Sequence, residues 1–83
     1  MRYRVQISRN AEKHMLKIAR SDQKRIRERI TALRDDPYSG AAKLASMPGF
    51  RQRVGNYRVI FEINTVDRIV LVTGVFHRGK AYR

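Results

Sequence analysis

The chain contains no cysteine. No disulfide can staple its fold, and no thiolate can hold a metal or attack a substrate. That absence fits a reducing cytoplasm, which is the expected location. No apolar stretch approaches the roughly 18 residues of a membrane span, so no membrane association is expected. Met1-Arg2-Tyr3-Arg4 leads into an alternating segment, unlike the apolar run of a signal peptide. A glycine-rich phosphate loop is missing, and the serines fall in no nucleophile motif. The two histidines, His14 and His77, lie far apart in sequence with no supporting ligand cluster, so neither a zinc site nor another cofactor is expected. Repeats, low-complexity tracts and linkers are missing as well, and residues 1–83 read as a single small domain.

Acidic residues are scarce. Seven of them face nineteen lysines and arginines, for a formal charge of +12. A domain this basic repels its own copies and attracts polyanions, with nucleic acid the first candidate partner and an acidic protein the second. The charge is not of one kind along the chain. Residues 1–43 hold most of the lysine, whereas residues 44–83 are almost purely arginine-basic, with only Glu62 and Asp67 as acids. Guanidinium groups bind phosphate oxygens bidentately and stay charged at any cellular pH.

Tyr3-Arg4-Val5-Gln6-Ile7 alternates apolar and polar, the signature of a strand. Ser8 or Asn10 is placed to cap a helix carrying Ala11, Met15, Ile18 and Ala19 at helical spacing. Ser21-Asp22 is expected to break that helix and cap a second, with Ile26, Ile30 and Leu33 as its apolar stripe. Arg25, Arg27 and Arg29 then form a solvated or partner-facing surface. Asp35-Asp36-Pro37 ends the second helix, because the residue before proline disfavours helical angles. Residues 38–49 read as irregular, with one short turn. Phe50–Val54, Tyr57–Ile63 and Arg68–His77 read as strands, the first two joined by the tight-turn dipeptide Gly55-Asn56. The order β-α-α-β-β-β predicts an α+β domain, a helical hairpin packed on a small antiparallel sheet.

Period-two alternation assigns the faces of those strands. Tyr57, Val59, Phe61 and Ile63 share one side, and Arg58, Ile60 and Glu62 the other. Ile69, Leu71 and Thr73 oppose Val70, Val72 and Gly74. Arg58 thus falls near the middle of the sheet, a costly place for a charge unless an anion or a carboxylate meets it. The plain alternative is an ion pair with Glu62 on the same face.

The chain resembles the RelE/ParE toxin superfamily, the small basic toxins of bacterial toxin–antitoxin operons. The resemblance rests on the opening strand, on Leu-x-x-x-Pro at Leu33–Pro37, on Arg-x-Gly-x-Tyr-Arg-x-x-Phe at Arg53–Phe61, and on His-Arg-x-x-x-Tyr at His77–Tyr82. The middle motif is shared by all branches. The terminal one looks like the RelE branch, whose members cut mRNA in the ribosomal A site. ParE-like members, which inhibit DNA gyrase without chemistry of their own, generally lack the full residue set. A third reading is a silent RNA-binding module.

Carried over by motif position, the resemblance implies catalytic roles for Arg58, Arg78 and Tyr82, with Arg51, Arg53, His77 and Lys80 binding RNA. It implies a cognate antitoxin, mRNA and the ribosome as partners, and a metal-free reaction driven by the substrate's 2′-hydroxyl. Some relatives carry lysine where this chain has Arg51. Arginine is a poor proton donor, so electrostatics is the expected role there. Tyr82 either takes the 2′-hydroxyl proton, if nearby cations lower its pKa, or stacks on a base. His77 is either a strand-end residue or a participant in acid–base chemistry.

About four phosphate contacts, from Arg51, Arg53, Arg58 and Arg78, imply a steep salt dependence through counterion release. Raising salt from about 50 to about 200 mM should weaken binding to single-stranded RNA roughly 50-fold, at a slope of about −0.7 per contact. A fluorescence-anisotropy titration measures this, and a flat salt response would contradict the expectation.

Overall fold

The computed structural model describes residues 2–79. Strand β1 (Arg4–Ile7) is followed by helices α1 (Arg9–Leu16) and α2 (Arg20–Ala32). Four strands complete the fold: β2 (Ala41–Lys43), β3 (Phe50–Val54), β4 (Tyr57–Asn64) and β5 (Ile69–His77). They form one five-stranded sheet in the order β1-β5-β4-β3-β2. The α+β class is as expected from sequence, with one strand more. Segment 38–49 is not wholly irregular, because Ala41, Ala42 and Lys43 pair with Gln52, Arg51 and Phe50.

The sheet is mixed rather than antiparallel throughout. Strands β2 to β5 run as an antiparallel meander, which returns β5 to lie beside β1 in parallel register, Arg4 opposite Ile69 through Ile7 opposite Val72. Gly55 supplies the positive φ (59°) that opens the two-residue β3–β4 turn, as a type II′ hairpin requires. The β4–β5 turn is tied by the Asp67 amide donating to Asn64 Oδ1 at 2.9 Å.

The helices begin and end for local reasons. Ser8 caps α1, its hydroxyl accepting from the Ala11 amide at 3.1 Å. Helix α1 stops at Leu16, so Ile18 and Ala19 lie in the connection and not on its stripe. Ser21 and Asp22 do not break a helix. They belong to the first turn of α2, where Asp22 meets the positive end of the helix dipole. Both helices cover one face of the sheet. Ala11 and Met15 of α1, and Ile26 and Ile30 of α2 with Leu33 just beyond it, pack with Val59, Phe61, Val70, Val72 and Val75 in one buried cluster.

The arginines of α2 are more than a solvated surface. Arg27 pairs with Glu12 of α1, and Arg25 with Asp22. Arg29 reaches the sheet. In the amide orientation that satisfies its neighbours, buried Gln52 accepts from Arg29 Nε at 3.2 Å and Nη2 at 2.9 Å, and donates to the Ser39 carbonyl at 3.2 Å. One polar side chain of β3 thereby holds α2 and the loop before β2.

Strand β1 pairs with β5 only as far as Val72, which leaves the next part of that edge without a strand. Helix α1 takes its place. The Ser8 amide donates to the Val72 carbonyl at 2.8 Å, and the Val75 amide donates to His14 Nδ1 at 3.2 Å. His14→Phe keeps a ring at this position but removes the acceptor. It should cost about 1–3 kcal/mol, the penalty for a buried amide left unsatisfied, measured by denaturant unfolding. Unchanged stability would mean that the contact contributes nothing.

Candidate functional site

The helices leave the other face of the sheet open, and its chemistry follows from strand register. Arg58, Ile60 and Glu62 of β4 point to this face. Arg53 of β3 stands directly opposite Arg58, and Arg51 opposite Ile60. Side chains of such cross-strand partners start about 4.5–5.5 Å apart, and like charges there repel. Arg51 and Arg58 are half-buried and Arg53 is exposed. Three arginines on two rigid strands, two of them in direct opposition, form a site whose repulsion an oxyanion reverses. Arg58 and Glu62 are not joined in an ion pair among the described residues. Among the described residues the ion pairs join Arg2 to Asp35, Arg25 to Asp22 and Arg27 to Glu12.

Strand β5 joins this face through an irregularity that alternation alone does not predict. Phe61 pairs with Val72 and Ile60 with Gly74, so Thr73 is an extra residue, a β-bulge. Before it, Val70 and Val72 face the core. After it, Val75 does, opposite Val59, and exposed His77 follows on the same side, opposite Tyr57. The expected grouping of Gly74 with Val70 and Val72 is therefore corrected, since Gly74 and Phe76 lie on the open face, opposite Ile60 and Arg58.

The ladder continues one step past β5, where the Arg78 amide donates to the Asn56 carbonyl at 2.7 Å. By alternation Arg78 shares the face of Phe76 and Arg58, and His77 the opposite one. His77 packs edge-on to Tyr57 with ring centroids 5.4 Å apart, and its Nδ1 accepts from the Gly79 amide at 3.3 Å. The structure thus brings Arg51, Arg53 and Arg58 to one face, with the Arg78 backbone tied at the end of the β3–β4 hairpin and His77 at its margin. Lys80 and Tyr82 lie outside the described residues.

Two cavities flank these groups, separated by the rings of His14 and Phe76, whose centroids are 4.7 Å apart. One, of about 360 Å³, is lined by His14, Lys17, Tyr57 and His77 over an apolar floor of Ile18, Val75 and Phe76. Two histidines remote in sequence share its wall. Each has its Nδ1 engaged by a backbone amide, so in the neutral form each carries its proton on Nε2. Sequence reasoning missed His14 because a lone histidine on a helix gives no sign that it completes a strand edge. Among the described residues a titration shift is resolved at Tyr38, whose phenol is held above its ordinary value by partial loss of hydration and by the neighbouring Tyr3. That pair lies on another part of the molecule.

Comparison with known proteins follows the same architecture. A family model described as the ParE toxin of the type II toxin–antitoxin system parDE matches residues 5–82. Among solved structures, the RelBE2 toxin–antitoxin complex of Mycobacterium tuberculosis superposes with a TM-score of 0.87 at 22% identity, over 94% of this chain and 100% of that one. The archaeal RelE–RelB complex of Pyrococcus horikoshii gives 0.80 at 27% identity, over 98% and 100%. The intact RelBE complex of E. coli gives 0.77 at 20% identity, over 98% and 99%. No curated protein matches.

Gly74 lets the Phe76 ring lie across the strand. A Cβ there would come within 2.5 Å of Phe76 Cε2 and 3.0 Å of Cζ. Gly74→Ala should swing the ring away from His14 and cost about 1–3 kcal/mol of overpacking. Chemical denaturation and the ring-current shifts of the Phe76 and His14 protons read both effects. An unmoved ring would contradict the packing described.

Proposed function

The chain belongs to the ParE toxin family of type II toxin–antitoxin systems, and from that premise we propose that it is an endoribonuclease toxin of the RelE kind, cutting mRNA in the ribosomal A site. The observation that supports this reading is the convergence of Arg51, Arg53 and Arg58 on one face, with Arg53 and Arg58 in direct cross-strand register and the Arg78 backbone hydrogen-bonded to the turn of the same hairpin. The substrate's 2′-oxygen attacks the adjacent phosphorus, and the bond to the 5′-oxygen breaks. The products are a 2′,3′-cyclic phosphate and a 5′-hydroxyl. Arg58 and Arg78 stabilise the phosphorane, an effect worth about 3–4 kcal/mol for a well-placed donor. Arg51, Arg53, Lys80 and His77 hold the flanking RNA. Tyr82 receives the 2′-hydroxyl proton or orients a base. The toxin works in the cytoplasm and is neutralised by a cognate antitoxin, as the toxin–antitoxin complexes among its structural neighbours suggest. Charge complementarity calls for an acidic antitoxin segment against a surface of net charge +12.

The family match itself favours a second reading, a ParE-like inhibitor that binds DNA gyrase without catalysis. The two separate on induction of the toxin without its partner. The nuclease reading expects protein synthesis to fall before DNA synthesis in pulse labelling. DNA synthesis falling first, with damage signalling, selects the gyrase reading.

At the level of residues, Arg58→Ala and Arg78→Ala should each slow single-turnover cleavage on programmed ribosomes by about 10²-fold or more. Arg58→Lys should recover only part, since an ammonium lacks the planar bidentate fork. Tyr82→Phe separates its two roles. A loss of about 10²–10⁴-fold marks proton transfer, and near-parental activity marks stacking. If the folded alanine variants cut at the parental rate, catalysis does not belong to this face.

A further inference from the structure

The second cavity, of about 350 Å³, opens on the arginine-bearing face and differs from it in chemistry. Its apolar walls are Ile60, Met47 and Phe76, and its polar groups include Asn10, Thr73 and Glu62. Glu62 is the anomaly. It and Asp67 are the only acids in residues 44–83, and Asp67 is occupied in the β4–β5 turn with Asn64. Glu62 stands instead on the central strand, on the same side as Arg58, where a carboxylate weakens any grip on phosphate.

The hydrogen-bonding groups of the cavity are one donor, His14, whose neutral form carries its proton on Nε2, and three groups that can accept. Ionised Glu62 can only accept. Thr73 Oγ1 donates its proton to the Ile60 carbonyl at 3.3 Å, a bond made inside the bulge, so its lone pairs are what it offers to a ligand. Asn10, in the first turn of α1, can both accept and donate. The cavity therefore suits a flat apolar ligand that brings an N–H donor to Glu62 together with an acceptor for His14. Ile60 lies two residues along β4 from Arg58, about 7 Å at roughly 3.4 Å per residue, a separation one nucleotide spans.

We infer that this cavity is a nucleobase pocket that selects an amino-bearing base, with Glu62 accepting from the exocyclic amine and discriminating against uracil. The inference rests on the nuclease reading above and adds the base selectivity of the same face. Base-edge recognition of this kind is how proteins read single-stranded RNA, whose bases are free of the helix.

The test is equilibrium binding of cytidine and uridine hexamers at one low salt concentration, with the wild-type chain, Glu62→Gln and Glu62→Ala. The wild-type chain should prefer the cytidine hexamer about 10-fold, the worth of one charge-assisted hydrogen bond. Glu62→Ala should bring the ratio to about one, chiefly by tightening uridine binding as the carboxylate leaves a polyanion-binding face. Glu62→Gln, which keeps a neutral acceptor, should fall between. A wild-type ratio near one overturns the inference. So does an alanine variant that tightens both hexamers by the same factor, which would mark Glu62 as a simple repulsive charge. A flat ratio alongside Arg58-dependent cleavage removes the pocket and leaves the nuclease standing. A clear Glu62-dependent ratio without cleavage leaves the pocket and removes the nuclease.

Discussion

One extra residue in β5 decides which side chains this protein presents. Without the bulge at Thr73, unbroken alternation would put residues 74, 76 and 78 on the side of Val70 and Val72, driving Arg78 toward the helices. With it, Val75 continues the core, Phe76 turns to the face of Arg58, and the Arg78 amide reaches the Asn56 carbonyl. Bulges re-aim side chains at the cost of a disrupted ladder, and they persist where something fixes them. Here helix α1 does so. The Ser8 hydroxyl donates to the Thr73 carbonyl at 3.4 Å, the Ser8 amide to Val72, and His14 accepts from Val75. The bulge, the end of β1 and the start of α1 are one device, which explains why the helix begins where it does.

The same economy governs charge. Two helix acids meet arginines, Glu12 with Arg27 and Asp22 with Arg25, while Arg29 is absorbed by Gln52. Exposed pairs of this sort contribute at most about 1 kcal/mol each, so their effect is to position side chains more than to stabilise them. Arg53 opposite Arg58 is a like-charge pair, which taken by itself costs stability. Any polyanion that binds only the folded state returns that stability by mass action.

Much of this architecture is legible in the sequence, and what is not has a common cause. Strand β3 was readable to the residue and β4 to within one. Gly55-Asn56 announces its hairpin, and Pro37 closes the segment after α2. These are local signals carried by neighbouring residues. Strand β2 is three residues long and takes its order from pairing with β3, so no pattern of its own reveals it. The parallel pairing of β1 with β5 joins opposite ends of the chain. The bulge depends on Ser8 and His14, which contact β5 from far away in sequence. Arg51, Arg53 and Arg58 could be found because period-two alternation holds along β3 and β4. The company they keep, Gly74, Phe76 and His14, could not, because alternation fails at Thr73.

This failure of alternation bears on which kind of toxin the fold serves. A surface that only holds a nucleic-acid backbone tolerates slack, since counterion release rewards charge near phosphate without demanding an exact position. Stabilising a phosphorane demands donors fixed where charge develops, because a group that must reorganise in the transition state loses most of its worth. Arg53 and Arg58 are fixed by strand pairing. Arg78 follows the end of β5, where a chain would ordinarily fray. It is held there by its amide bond to Asn56 and, through Val75 and Thr73, by the contacts of α1. A fold that interrupts its own ladder and spends a helix start to fix the end of β5 carries order that backbone binding alone does not require. The proposed nuclease would make use of such order.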